Sequence, residues 1–354
     1  MPRQLDDYRL LGRSGLRVSP LALGTMTFRV GGGTWGSTDE EARAMVDMYT
    51  DRGGNFIDTA DFYGQHGGSE TLLGELVKDR RHRMVISTKY SLTTEPGNPN
   101  AAGNHRKNMV RSVEDSLRRM GTDYIDLLYL HMWDFRTPVD EILRSFDDLV
   151  RSGKVLYIGL SDTPAWQASR MQAIAELRGW SQFCALQIQY SLVERTVERE
   201  MIPMAKEMGM GVSPWAPLGQ GMLTGKYTRA DLVPGSMDDI SSRKAINAVT
   251  GKLTERNLDI ADLVVEISKE IGCTAAQLAV AWTLANPAVC SPVIGVRTPA
   301  QLEDNLGALA VEISPEQLAR LNEASAVPPV FPMDVLKGPA EGMMFGGVKV
   351  EERI

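Results

Sequence analysis

Eight short apolar runs alternate with longer segments of helical period along nearly the whole chain, and this alternation constrains the fold more than any single motif. The runs are Leu21–Gly24, Asn55–Asp58, Met84–Lys89, Ile125–His131, Val155–Leu160, Ala185–Ile188, Gly211–Trp215 and Pro292–Gly295. Helical periods fill 39–53, 69–79, 105–120, 138–152, 164–178, 197–208, 255–271 with 274–286, 299–309 and 315–325. Apolar strands buried on both faces need covering helices, so the pattern predicts parallel β/α units. Eight such units in 354 residues predict an α/β fold, a closed (β/α)₈ TIM barrel forming a single domain over 1–354. The alternative is a doubly wound sheet in two domains, but no Pro/Gly/Ser-rich or charge-rich linker divides the chain.

Tyr8 to Val18 carries two apolar runs around Gly12-Arg-Ser-Gly15 and reads as a β-hairpin. Helix starts are expected at Ser37-Thr38-Asp39-Glu40, Thr137-Pro138, Thr163-Pro164 and Ser314-Pro315. Three stretches break the rhythm: 91–104, 216–254 and the tail 327–354. Long loops in a compact domain carry function or lack order. The first two follow strands, which puts them on the C-terminal face where barrel active sites lie. The tail either folds over that face or is disordered.

Composition serves mainly to exclude. With 38 basic and 45 acidic residues the net charge is −7, a poor balance for wrapping nucleic acid. Cys184, Cys273 and Cys290 lie too far apart for a disulfide scaffold or zinc module. No signal peptide or membrane span is indicated, so a soluble, cytoplasmic protein without a metal centre is expected. Oligomeric state is not legible.

Two motifs match on paper and fail in context. Gly31-Gly-Gly-Thr-Trp-Gly36 satisfies G-x-G-x-x-G, but six residues separate it from the preceding strand; it reads as a loop rather than a dinucleotide turn. Gly219 to Lys226 resembles a Walker loop with the wrong glycine spacing, and Tyr227 stands where the magnesium-binding hydroxyl belongs.

The chemistry lies at the strand ends. Asn55–Asp58 ends in a carboxylate followed by Asp61 and Tyr63, Met84–Lys89 ends in a lysine, and Ile125–His131 ends in a histidine. A barrel gathers all of these at one mouth. A lysine beside a carboxylate forms an ion pair, and its ammonium is expected to draw a nearby tyrosine pKa towards neutrality. Such a tyrosine is a general acid for a developing alkoxide, with histidine donating to the same oxygen. The set polarises a carbonyl and delivers a proton but has no activated nucleophile. The electron pair must come from a cofactor, and a nicotinamide hydride is the economical choice.

Asp58-Thr-Ala-Asp-Phe-Tyr63-Gly, Lys89, His131, Gly159-Leu-Ser-Asp162 and Trp215 to Tyr227, taken in this order, resemble the aldo-keto reductase family. The resemblance runs from the hairpin to about residue 325. It implies a barrel whose bottom the hairpin closes and NADPH-dependent reduction of aldehydes or ketones, without metal or flavin. Tyr63 would be the proton donor, Lys89 would lower its pKa, Asp58 would hold Lys89, and His131 would orient the carbonyl. Gly24, Thr25 and Met26 match cofactor contacts after the first strand. Ser161, Asp162 and Gln187 match the grip on the nicotinamide carboxamide, and Trp215 the ring that stacks on it. Leu218, Gln220, Leu223 and Lys226 fall where the loop crosses the pyrophosphate. Gly295, Arg297, Gln301, Asp304 and Asn305 fall on the adenosine site.

Two departures stand out. Asp162 replaces an Asn common in the family and cannot donate to the carboxamide oxygen. Gly295-Val296 replaces a Lys-Ser pair of strongly NADPH-preferring members, which leaves NADH open. The loop aromatics Phe28, Trp35, Tyr90, Trp133 and Phe135 suggest a pocket for a bulky or aromatic carbonyl compound. The alternative to an enzyme is a cofactor-sensing subunit resembling the potassium-channel β subunits; His131 argues against it. No role follows from sequence for His66, His82 or His105.

Overall fold

The computed structural model describes residues 3–29, 36–232, 243–336 and 339–348. Trp35 and the Gly31–Gly36 motif, except Gly36, lie outside them. β1 (Arg9–Leu10) and β2 (Arg17–Val18) form the antiparallel hairpin. β3 (Ala22–Gly24), β4 (Phe56–Asp58), β5 (Val85–Tyr90), β6 (Ile125–Leu130), β7 (Val155–Ser161), β8 (Ala185–Gln189), β9 (Gly211–Trp215) and β10 (Val293–Gly295) close into one barrel in sequential order. All eight joints are parallel, and β10 returns to β3 with Gly295 opposite Gly24. The predicted (β/α)₈ architecture is the observed one.

The outer ring is α1 (Asp39–Asp51), α2 (Tyr63–Val77), α3 (Arg106–Met120), α4 (Val139–Arg151), α5 (Ala165–Arg178) and α6 (Met201–Glu207). It continues with α7 (Arg243–Val249), α8 (Glu255–Ile271), α9 (Ala275–Leu284), α10 (Pro299–Leu306) and α11 (Pro315–Ala324). α4 illustrates the logic. Val139, Ile142, Leu143, Phe146 and Leu149 recur at helical spacing and are all buried against the sheet. Burying one such side chain contributes about 1.5–3 kcal/mol.

Thr38 and Ser314 cap their helices with full capping boxes. The other two expected caps differ. Pro138 and Pro164 themselves occupy the cap positions, without a side-chain bond. Thr137 Oγ1 donates instead to Asp134, and Thr163 Oγ1 to the Ser161 carbonyl. A residue before proline is biased towards extended backbone, so these hydroxyls turn to loop partners.

Period two along each strand decides what fills the barrel. Ala22, Phe56, Val85, Leu127, Tyr129, Ala185 and Val293 form an interior cluster with Leu11 and Val18 of the hairpin. The hairpin sits across the N-terminal ends of the strands, where Arg13 N–H donates to the Gly209 carbonyl at 2.8 Å. Gly12 makes that approach possible. With φ of 56°, a Cβ there would lie 2.3 Å from the Cys184 carbonyl oxygen. Gly159 serves the interior in the same way, since a Cβ would strike the Tyr129 ring at 2.5 Å. Two residues further along the inward faces, the apolar filling gives way to polar groups. Among the described residues no helix is long and apolar enough to cross a membrane.

Candidate active site

The same alternation that buries Phe56, Val85, Leu127 and Ala185 turns Asp58, Ser87, Lys89, His131 and Gln187 inward near the C-terminal end. Asp58 pairs in register with Ser87, and Ser161 with Gln187. Lys89 Nζ donates to Asp58 Oδ2 at 2.5 Å and to the Thr59 carbonyl at 2.8 Å. Ser87 Oγ and Gln187 Nε2 donate to Asp58 Oδ1 at 2.7 and 2.9 Å. Lys89 and Asp58 are both buried. Burial works against the Lys89 charge, but Asp58 and Tyr63 outweigh it and hold its pKa above the ordinary lysine value.

Tyr63 begins α2, and Lys89 Nζ lies 4.9 Å from its ring centre. The His131 ring meets the Tyr63 ring edge to face at 5.9 Å. The expected drop in the Tyr63 pKa is not what the geometry gives. Burial pushes it up, and the Lys89 ammonium offsets only part of that because the Asp58 carboxylate opposes it. His131 is pushed down to about 3, first by burial and then by the Lys89 charge. Its imidazole is therefore neutral, with Nδ1 unpartnered among the described residues.

Around this centre the backbone is strained. Among the described residues, the non-glycine residues with positive φ are Arg29, Gln65, His66, Ser91, Phe135, Asp162, Ala216 and Gln220. Every one lies beyond the C-terminal end of a barrel strand. Left-handed backbone costs about 1–2 kcal/mol at a residue with a Cβ. Gly64 to Gly67 form a left-handed turn, and regular helix resumes only after it, which is why helical period starts near 69 in the sequence.

The Asp162 carboxylate accepts from Trp215 Nε1 at 3.1 Å. Burial raises its pKa, and that bond and Lys89 oppose the rise. The bond fixes the indole edge while Trp215 stays partly exposed at the mouth. Thr25 and Ser161 are buried beside it, Gly24 pairs with Asp58, and Met26 is exposed. The 216–254 stretch leaves β9 here. In it Gln220 Oε1 is buried without a partner among the described residues, and Lys226 is exposed with Nζ over Gly221. Leu218 is partly exposed, whereas Leu223 is fully buried in the core and offers a ligand only backbone. After β10, exposed Gly295 and Arg297 precede Thr298, which caps α10, and Gln301 Oε1 accepts from the Arg297 N–H at 2.9 Å.

Several sequence-predicted residues lie elsewhere or have other partners. Tyr90 does not line the mouth: as the neighbour of inward-facing Lys89 it points outward, packs edge to face on Phe146 and donates to the Asn104 carbonyl. Phe28 is fully buried in the main core. The Gln187 amide N–H is held by Asp58. The Asp304 carboxylate accepts from Thr274 Oγ1 and Gln277 Nε2 at the start of α9, and Asn305 is buried behind it. Trp133 and Phe135 stand together in the loop after β6, their rings 6.5 Å apart.

Ser87 is the partner of Asp58 that sequence reading passed over. Its signal was its spacing of two from Lys89, which puts both on one strand face.

The profile of the Aldo/keto reductase family matches residues 20–326. The chain is 38% identical over 348 residues to norsolorinic acid reductase stcV of Emericella nidulans, covering 95% of this chain and 86% of that protein. It is also 38% identical over 327 residues to the uncharacterized oxidoreductase YrpG of Bacillus subtilis, covering 90% and 95%. Identity to the aryl-alcohol dehydrogenase GME11368 of Pestalotiopsis microspora is 35% over 328 residues, covering 90% and 82%. With its closed parallel barrel and its hairpin, the chain belongs to the aldo/keto reductase family and is an oxidoreductase of carbonyl and alcohol groups.

Proposed function

We propose that the protein is an NADPH-dependent reductase of bulky or aromatic aldehydes and ketones, with Tyr63 as its proton donor. The observation that carries this reading is the buried line Asp58–Lys89–Tyr63 with a neutral His131 against the tyrosine ring. Tyr63, raised by burial, keeps its proton at neutral pH and so arrives as an acid. As the carbonyl oxygen gains charge, Tyr63 Oη releases the proton to it, and the Lys89 ammonium stabilises the phenolate left behind. Asp58 keeps Lys89 charged and in place. His131, neutral, donates a hydrogen bond to the same oxygen and fixes its direction.

The rim suits a nicotinamide dinucleotide. Trp215 offers an indole face held by Asp162 on which a nicotinamide ring would stack, and Ser161 and Asp162 would take its carboxamide. The Gln220 oxygen, without a partner among the described residues, and exposed Lys226 would meet the pyrophosphate. Arg297 and the α10 N-terminus are suited to a 2′-phosphate. Bound there, NADPH would supply a hydride to the carbonyl carbon. Trp133 and exposed Phe135, edge to face in the loop after β6, would offer an aromatic wall to a substrate, and the names of two relatives, a norsolorinic acid reductase and an aryl-alcohol dehydrogenase, point the same way.

The test is steady-state reduction of substituted benzaldehydes, cyclic ketones and succinic semialdehyde with NADPH and with NADH. Aryl substrates with NADPH are expected to give the highest kcat/KM. Preference for the small anionic aldehyde would remove the aromatic assignment, and NADPH binding without turnover of any carbonyl would point to a sensor.

A further inference from the structure

The short segment between Asp58 and Tyr63 sets where the tyrosine hydroxyl stands. Its backbone is stitched to β5: the Thr59 N–H donates to the Ser87 carbonyl at 2.8 Å, and the Asp61 N–H to the Lys89 carbonyl at 3.1 Å. The Tyr63 N–H then closes a turn on the Ala60 carbonyl at 3.1 Å. Asp61 is thus tied to the barrel wall two residues before Tyr63.

The Asp61 side chain takes no part in the chemistry above. It is buried, and both its oxygens lack a hydrogen-bond partner among the described residues. Around it are Glu70 of α2, Arg119 and Ser112 of α3, and Lys89 and Tyr90 of β5. Lys89 is engaged by Asp58, the Tyr90 hydroxyl donates to the Asn104 carbonyl, and the Ser112 hydroxyl lies close without the geometry of a hydrogen bond. Glu70, fully buried, accepts from Thr88 Oγ1 at 2.5 Å and from Arg119 Nε at 2.7 Å. Two buried carboxyls therefore share one guanidinium, and Glu70 holds it. A second carboxylate there would be a buried charge without a partner, so Asp61 is the group that keeps a proton. Burial and then Glu70 push its pKa up to about 8.

Arg119 also backs the other side of the tyrosine. A Cβ on Gly67, where φ is 112°, would lie 2.4 Å from Arg119 Cδ and Nε. The left-handed turn Gly64–Gly67 thus rests on the side chain that holds Glu70. Tyr63 stands between that turn and Asp61, so both flanks of the tyrosine bear on one Glu70–Arg119 pair. A neutral Asp61 leaves the pair intact. A charged one would repel Glu70 and compete for Arg119.

We propose that Asp61 is a positioning residue for Tyr63: uncharged, it lets the segment 58–67 seat on the Glu70–Arg119 pair, and its ionisation unseats the segment and moves Tyr63 off the reacting oxygen. The effect on rate rests on the reductase reading above; the seating of the segment does not.

The experiment follows kcat and KM for benzaldehyde with NADPH across the alkaline range in the parent protein, Asp61→Asn and Asp61→Leu, two uncharged replacements of similar size. Tyr63 and Lys89 hold their protons above their ordinary values, so neither titrates between pH 7 and 9. In the parent, kcat is expected to fall roughly tenfold over that interval as one group gives up its proton, with KM little changed. Both variants should stay flat within about twofold. Hydrogen exchange, corrected for its intrinsic rise with pH, reads the same event without turnover. In the parent the segment 58–67 should lose protection at pH 9 while α4 and α8 keep theirs, and in both variants it should stay closed. A parent kcat that does not fall, or a fall that both variants share, overturns the proposal. So does exchange that rises alike over the whole chain, the mark of a group that serves stability alone. If the parent reduces no carbonyl, the reductase reading falls, and local opening confined to the parent still keeps Asp61 as the brace of the segment.

Discussion

Gln187 reaches across the barrel to Asp58: its Nε2 donates to Asp58 Oδ1 at 2.9 Å although 129 residues separate the two. With Ser87 and Lys89 also donating, the carboxylate is closed in by three side chains from β5 and β8. A buried ion pair is stable only when its remaining lone pairs are satisfied, so Gln187 is part of what keeps Lys89 charged. Gln187→Leu is expected to destabilise the protein by about 1–3 kcal/mol and to lower kcat. Chemical denaturation and initial rates check both.

Tyr63→Phe keeps the ring against His131 and Lys89 and removes only the hydroxyl. The expected outcome is a fall in kcat of roughly 10²–10⁴ with cofactor affinity unchanged, measured by initial rates and by nicotinamide fluorescence titration.

His131 is neutral in the folded protein down to pH about 3, whereas an unfolded histidine takes its proton near 6.5. Between those values the unfolded state binds more protons, so this group makes stability rise with pH and fall as pH drops below about 6.5. The slope approaches ~1.4 kcal/mol per pH unit. His131→Asn removes it. The variant is expected to gain stability relative to the parent as pH falls from about 6.5 to 5, read from denaturation midpoints.

Asp61 has the opposite sign. Both its carboxyl oxygens are buried without partners among the described residues, and burial, with Glu70 nearby, pushes its pKa up to about 8. The folded state then holds a proton that the unfolded state has released, so stability falls as pH rises from about 4 to 8. Asp61→Asn is expected to stabilise the protein by about 1–3 kcal/mol at neutral pH and by less at pH 5. In the parent the two slopes largely cancel between pH 4 and 6.5, and each substitution uncovers the other group.

Arg297→Ala tests the phosphate preference. KM for NADPH should rise about tenfold, one charge-assisted contact, while KM for NADH stays within about twofold. Equal effects on both would remove Arg297 from 2′-phosphate recognition.

Much of this protein was legible because two periodicities carry most of the information. Eight apolar runs alternating with amphipathic helices leave few ways to bury both sheet faces, and the closed barrel is the one observed. A strand-end carboxylate, lysine and histidine need only that barrel to meet, so Asp58, Lys89, Tyr63 and His131 could be chosen from the chain alone. Tyr90 shows the limit. An aromatic after Lys89 looked like a pocket wall, yet period two sends it to the far side of the strand, onto Phe146. The order of strands and the residue types at their ends are properties of the sequence. The partner of Gln187, the neutral state of His131 and the raised Tyr63 depend on burial and on contacts between distant segments. Only the closed tertiary structure sets the distances and the loss of water that decide them.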